Sequence, residues 1–315
     1  MRKVETMKRR DFLRFGAAAA ASALVPRVRG AAAGHPVRIG GLVFASDEDP
    51  QLWARSARQF GYGAVYVPDC SLADRVRIDA VRKAVAEQNL VIAEVGRWVN
   101  LLDPRPEEAK KNLDYVTEGL ALAEELGACC CVDIAGSFRA DPWYGPDPRN
   151  NTPEYFDRAV ENARKIIDAV KPTRTKFAYE MSGWNCPCSV DDYLRLIEAI
   201  DRPQFGVHLD ICNLVNSPRK FWGTAALAND VFDRLGGKIV SCHAKDLRWE
   251  PEMNIHFVEC VCGEGSVDWG TMLRRLTALP ADVPLMIEHM RGEGEYRQSL
   301  ENLKRIAGEN SVEVF

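Results

Sequence analysis

Four short apolar runs in the second half of the chain end in side chains that can ligate a metal or move protons. They are "YEM" with Glu180, "VHLD" with His208 and Asp210, "SCHAKD" with His243, Lys245 and Asp246, and "IEHM" with Glu288 and His289. Residues two apart in an extended strand share a face. Ala178 with Glu180, His208 with Asp210, Ser241 with His243, and Met286 with Glu288 therefore point one way, while Val207, Leu209, Ile287 and His289 point the other. Glu180, Asp210, His243 and Glu288 then stand at one height on four consecutive strands. Three carboxylates in a partly buried pocket repel strongly unless something compensates. One divalent cation is the economical compensation. Three oxygen donors and an imidazole suit Mn²⁺, Mg²⁺ or Co²⁺, and Zn²⁺ also accepts such a set. A lone acidic residue at a strand end is more often a helix cap or a loop ion pair, but four at matching height are hard to explain that way.

Other residues near these ends are candidates for holding a substrate. His208 lies below Asp210 on the same face, and Lys245 lies above His243, where it either contacts substrate or pairs with Asp246 or Glu288. Arg248 and Arg291 follow strand ends and suit hydroxyl or carboxylate recognition as well as surface roles. Trp98, Trp143 and Trp184 fall in loops after strands, where an indole ring fits the apolar face of a sugar or simply packs the rim.

These residues need a scaffold that brings strand ends together. From residue 38, apolar runs at 38–44, 64–68, 91–96, 129–136, 176–181, 205–210, 239–246 and 284–290 alternate with amphipathic stretches near 49–60, 74–88, 106–126, 154–170, 189–200, 222–235, 267–278 and 294–307. Asp49-Pro50, Asp103-Pro104 and Thr152-Pro153 read as helix starts, and Gly61, Gly127 and Gly236 as stops. Strict strand–helix alternation implies a parallel sheet. The first turn, "FASDEDP", lacks the Gly-rich phosphate signature of an open doubly wound sheet. Eight units in a chain of 315 residues predict a single-domain (β/α)₈ barrel over 34–315. Its longer loops, 137–152 and 247–265, fall at the face where barrels place active sites.

Residues 1–33 carry eight Lys/Arg against two Asp/Glu, and the remainder carries 33 against 43, a net charge of −10. A body that acidic repels a phosphate backbone, which argues against nucleic acid as a partner. The leader has a basic start with Arg9-Arg10, an apolar run from Phe15 to Val25 and an Ala31-Ala32-Ala33 cleavage site. It resembles a twin-arginine export signal, which predicts a periplasmic or secreted protein, free of the membrane after cleavage, with Met1 or Met7 as the start. The ten cysteines form neither a disulfide framework nor a zinc pattern. A homo-oligomer stays open.

From Glu180 onward the chain resembles the xylose isomerase-like superfamily of sugar isomerases and epimerases, which also holds endonuclease IV. The carriers are Glu180, "FGVHLDICNL" with Asp210, "HAKD" with His243, "GEGSVDWGTMLRRL" from Gly263, and "IEHM" with Glu288. The exported form is similar to twin-arginine-leader members of the sugar phosphate isomerase/epimerase family. The resemblance implies a metal on Glu180, Asp210, His243 and Glu288, with Glu180 and Glu288 as acid and base on a small carbohydrate substrate. Two positions depart from the family pattern. Asn213 stands where epimerases carry a histidine, and Glu259 stands where endonuclease IV carries one of its ligands, so a trinuclear zinc site is not expected. The reaction implied is isomerisation or epimerisation of a keto-sugar or related polyhydroxylated carbonyl compound through an enediolate. Lyase or dehydratase chemistry on a keto-sugar or keto-inositol uses the same site. A non-catalytic sugar-binding barrel and a metal-dependent hydrolase are the alternatives from other classes.

Overall fold

Local signals start and stop most helices where their residue types dictate. Asp49 accepts hydrogen bonds from the backbone of Gln51 and Leu52 to open α1 (Pro50–Phe60), and Gly61, at φ 105°, closes it in the left-handed conformation that glycine adopts without strain. Asp74 opens α2 (Arg75–Glu87), and α3 (Pro106–Leu126) ends at Gly127. Thr152 opens α4 (Pro153–Val170) and Ser189 opens α5 (Val190–Ile200). The short α6 (Pro218–Phe221) precedes α7 (Thr224–Leu235), and α8 (Trp269–Leu276) and α9 (Gly292–Glu309) complete the set. Two expected boundaries differ. Asp103 accepts from Arg105 instead of capping α3, which begins at Pro106. Gly236 sits at φ −48° and leads into a 3-10 turn instead of a left-handed stop.

The computed structural model describes residues 34–315, so the leader expected over 1–33 lies outside the described residues. The strands are β1 (Arg38–Gly41), β2 (Ala64–Tyr66), β3 (Val91–Gly96), β4 (Cys130–Asp133), β5 (Lys176–Glu180), β6 (Phe205–Asp210), β7 (Ile239–Ala244), β8 (Asp246–Trp249), β9 (Phe257–Cys260) and β10 (Pro284–Ile287). Eight of them close in the order β1-β10-β7-β6-β5-β4-β3-β2, every pair parallel. This is the (β/α)₈ barrel that the alternation predicts, in one domain. The main core lies between the strands and the helices, where Val207, Leu209 and Ile287 pack. A small inner cluster of Ala64, Ala93 and Met286 fills part of the lumen.

The run expected as one strand over 239–246 is two elements. β7 stops at Ala244, and β8 turns away to pair antiparallel with β9, so the loop expected at 247–265 holds a hairpin. Asp246 anchors it, accepting from the backbone of Leu247, Gly263 and Val267 and from the Trp269 indole. The Gly-x-Gly at 263–265 has a steric cause here: a Cβ on Gly265 would lie 2.2 Å from Asp246 Oδ1. Among the described residues no helix is long and apolar enough to cross a membrane. All ten cysteines are unpaired.

Candidate metal centre and its cavity

Parity along β5, β6 and β7 carries Glu180, Asp210 and His243 into the barrel mouth. Glu288 follows β10 and still bonds through its backbone N–H to the Ala244 carbonyl, which extends the ladder one residue. The four side chains meet. His243 Nδ1 lies 3.1 Å from Glu180 Oε1, 3.0 Å from Glu288 Oε2 and 3.7 Å from Asp210 Oδ2. Asp210 and His243 are fully buried, and Glu180 nearly so. One ligand atom from each falls within 4.8 Å of all the others.

A divalent ion fits the chemistry of this set. Asp210 Oδ2 and Glu288 Oε2 are buried and receive no well-aligned hydrogen bond; what stands against them is the positive charge of Lys245 and His243, a place that a metal ion can take. Asp210 is held from behind, its Oδ1 accepting from the backbone of Cys212 and Asn213. Glu180 is held by the Trp98 indole at 2.7 Å and the Asn213 amide at 3.3 Å. The donor set of three carboxylates and one imidazole suits a hard or borderline cation such as Mg²⁺, Mn²⁺ or Co²⁺.

Lys245 reaches into the same cluster. Its Nζ lies 2.7 Å from Asp210 Oδ2, 2.8 Å from Glu288 Oε2 and 3.7 Å from Glu180 Oε1. Burial alone would strip the protons from His243 and Lys245. The surrounding carboxylates outweigh it and hold both well above their ordinary values. Burial likewise works to neutralise Asp210 and Glu288, and the charges on Lys245 and His243 keep both below the usual carboxylate range.

Beneath the four lies a residue that the sequence reading did not single out. Glu94 of β3 is fully buried, with Oε2 3.1 Å from His208 Nε2 and 3.3 Å from His243 Nε2, and Oε1 accepting from Ser241 Oγ at 2.8 Å. Burial pushes its pKa up, and the two imidazoles outweigh this and hold it below the carboxylate range. Strand alternation hides it. Between Val65 and Tyr66 the register steps from Ile92 to Glu94, so Ala93 is an extra residue on β3 and parity changes there. The visible signal was a glutamate in the middle of the otherwise apolar "VIAEVG".

Three expectations change. His208, a candidate substrate contact, is fully buried and faces Glu94, because it sits one pleat below the mouth. Arg248 is carried away by the hairpin, pairs with Glu250 at 2.6 Å and lines a neighbouring cavity of about 360 Å³. His289 does not point outward. Its backbone is left-handed at φ 60°, which ends the alternation, and its ring bonds Glu259 through Nδ1 at 2.9 Å with Nε2 3.6 Å from Glu288 Oε1. Trp184 and Lys245 both line the cavity above the cluster, of about 500 Å³, as do Trp98, Trp143, Asn213 and His289.

A sequence model described as the xylose isomerase-like TIM barrel matches residues 54–306. The chain belongs to the xylose isomerase-like TIM barrel family. No functionally curated protein matches the sequence. Solved structures share the family fold. A xylose isomerase-like TIM barrel protein from Mycobacterium smegmatis, in complex with magnesium, is 18% identical over 87% of this chain and 96% of its own, with a TM-score of 0.60. The 3-keto-D-glucoside 4-epimerase of E. coli is also 18% identical, over 85% of this chain and 99% of its own, at 0.60. Endonuclease IV from Thermus thermophilus is 16% identical over 86% and 99%, at 0.64. At these identities the likeness establishes the barrel. Within this xylose isomerase-like barrel, Asn213 donates to Glu180 and to the Met181 carbonyl, and Glu259 pairs with His289. These two positions thus hold an amide donor and a carboxylate.

Proposed function

We propose that this barrel is a divalent-metal-dependent isomerase or epimerase of a keto-sugar or related polyhydroxylated carbonyl compound. One observation carries the reading. Glu180 and Glu288 come from strands separated by β6 and β7, yet lie 3.1 and 3.0 Å from the same His243 nitrogen, at the floor of a cavity walled by tryptophans. The sugar-processing E. coli relative and the magnesium complex of the M. smegmatis relative support it.

Glu180, Asp210, His243 and Glu288 would hold the ion, which supplies Lewis-acid polarisation of the substrate carbonyl and so acidifies the adjacent C–H. Either Glu180 or Glu288 removes that proton to give an enediolate, and the other returns one. Return on the opposite face at the same carbon epimerises, and return at the neighbouring carbon, with a proton passed from one oxygen of the enediolate to the other, isomerises. The Trp98 N–H and the Asn213 amide fix Glu180 for this role. Lys245 places a positive charge beside the developing oxyanion. The indoles of Trp98, Trp143 and Trp184 cover the apolar face of the sugar and exclude water.

The test is deuterium wash-in from D₂O at the substrate α-carbon, screened over keto-sugars with Mg²⁺ or Mn²⁺ added. Glu180→Gln and Glu288→Gln should each lose exchange, and Asp210→Asn should mainly lose metal. Exchange at wild-type rates in both glutamine variants would remove the acid–base assignment. We further propose that residues 1–33 direct twin-arginine export, so that the enzyme works in the periplasm or outside the cell. Arg9→Lys with Arg10→Lys should leave the full-length chain in the cytoplasm, and unchanged export of that variant argues against it.

A further inference from the structure

We propose that Glu94 is a positioning residue for His243, a buried carboxylate braced by His208 and Ser241 that selects the imidazole tautomer with its free nitrogen toward the Glu180–Asp210–Glu288 cluster. The inference rests on the reading of that cluster as a cation site.

A neutral imidazole carries one N–H, and a metal takes the other nitrogen. His243 presents Nδ1 to three carboxylates and Nε2 to Glu94 Oε2, 3.3 Å away. Nε2 makes no well-aligned hydrogen bond, and the Glu94 carboxylate is the charged group that stands against it. A carboxylate on that side favours the proton on Nε2 and leaves the Nδ1 lone pair free. Without it, a proton on Nδ1 would be drawn toward Glu180 and Glu288, closing the position a cation needs. A carboxylate behind a ligating histidine also raises the basicity of the ligand.

The surroundings of Glu94 hold the carboxylate in place. His208 Nε2 meets the same Oε2 at 3.1 Å, and Ser241 Oγ donates to Oε1 at 2.8 Å. Both braces come from the strands that carry the proposed ligands, β6 and β7, one pleat beneath Asp210 and His243. His208 Nδ1 has no partner, so the polar contact of this ring is the one to Glu94. The rings of His208 and His243 stand edge to face with centroids 4.3 Å apart, which locks their tilt. Glu94 is sealed from the cavity, so it acts through His243 and touches no substrate.

The experiment is Mn²⁺ titration of the purified metal-free chain by calorimetry, joined to ¹⁵N-histidine spectra of the Zn²⁺-loaded protein. Glu94→Gln keeps the shape and loses the charge. It should weaken Mn²⁺ binding about 10- to 100-fold and shift or broaden the His243 Nε2–H resonance, while Glu94→Asp recovers part of the affinity. Ser241→Ala trims a single brace and should weaken binding by about fivefold, which keeps the test open if Glu94→Gln does not fold. Binding by both variants within twofold of wild type, with an unmoved resonance, overturns the proposal. A wild-type chain that takes up no Mn²⁺ overturns the reading of the cluster itself, and this inference falls with it.

Discussion

Lys245 Nζ lies 2.7 Å from Asp210 Oδ2, with both side chains shut away from solvent. Two buried opposite charges this close stabilise each other, and removing one leaves the other uncompensated. Lys245→Met should therefore destabilise the metal-free protein by about 3–5 kcal/mol, read by urea unfolding. The same change removes a positive charge from the proposed cation seat, so Mn²⁺ should bind at least about tenfold more tightly. Saturating metal should then restore much of the lost stability through linkage. Unchanged Mn²⁺ affinity in this variant would separate Lys245 from the cation seat.

Trp98 Nε1 donates to Glu180 Oε2 at 2.7 Å, and the indole stands 6.0 Å from the His243 ring. A hydrogen bond to a charged acceptor contributes about 1.5–3 kcal/mol. Trp98→Phe keeps an aromatic wall and loses the donor. Deuterium wash-in should slow by roughly 10- to 100-fold, the same energy expressed as a rate, with little change in the thermal midpoint. A variant that exchanges at the wild-type rate would show that Glu180 needs no such restraint.

Gly265 packs directly on the Asp246 carboxylate that anchors the β8–β9 hairpin. Gly265→Ala drives a methyl to 2.2 Å from Asp246 Oδ1 and 2.5 Å from the Leu247 carbonyl oxygen. The cost should be about 1–3 kcal/mol in urea unfolding. Gly237→Ala, where an added Cβ meets nothing within 4 Å, is the control and should stay within about 0.5 kcal/mol of wild type. Equal stabilities for the two variants would contradict the anchoring role.

Glu124 on α3 ties down the turn before β5, accepting from Thr173 Oγ1 and from the backbone N–H groups of Thr173, Arg174 and Thr175. Burial raises its pKa, but these donors outweigh it and depress the carboxyl from 4.5 to about 2. A folded pKa below the unfolded one means that the anion's contribution is fully present above about pH 5 and is lost as pH falls through the folded value. The stability gap between wild type and Glu124→Gln should therefore be constant at neutral pH and close between pH 4.5 and about 2. A gap that persists unchanged at pH 2 would show that the amide loses packing, not charge.

The barrel was largely legible because its period is local. Each of the eight barrel strands and the helix after it announces itself by apolar spacing, and capping residues such as Asp49 and Thr152 act within one turn. The same alternation orders Glu180, Asp210 and His243 along their strands, and the structure brings them and Glu288 together. It fails where the backbone departs from a regular strand. The extra residue at Ala93 turns Glu94 inward, and the left-handed backbone at His289 swings a ring toward Glu288 that a regular strand would aim at the helices.

Residue types and spacing by themselves determined the architecture and the identity of the charged groups at the strand ends, since both follow from periodicity and from the chemistry of single side chains. Only the tertiary structure decided which of those groups face one another. Lys245 could reach substrate, Asp246 or Glu288 as far as the chain alone allowed; closure of the barrel sets it between Asp210 and Glu288. His208 lay next to the site in sequence, yet one pleat of depth and a bulge on a strand more than a hundred residues earlier commit it to Glu94. Distances of about 3 Å between residues of β3, β6 and β7 come from the closing of a cylinder, and no local pattern encodes them.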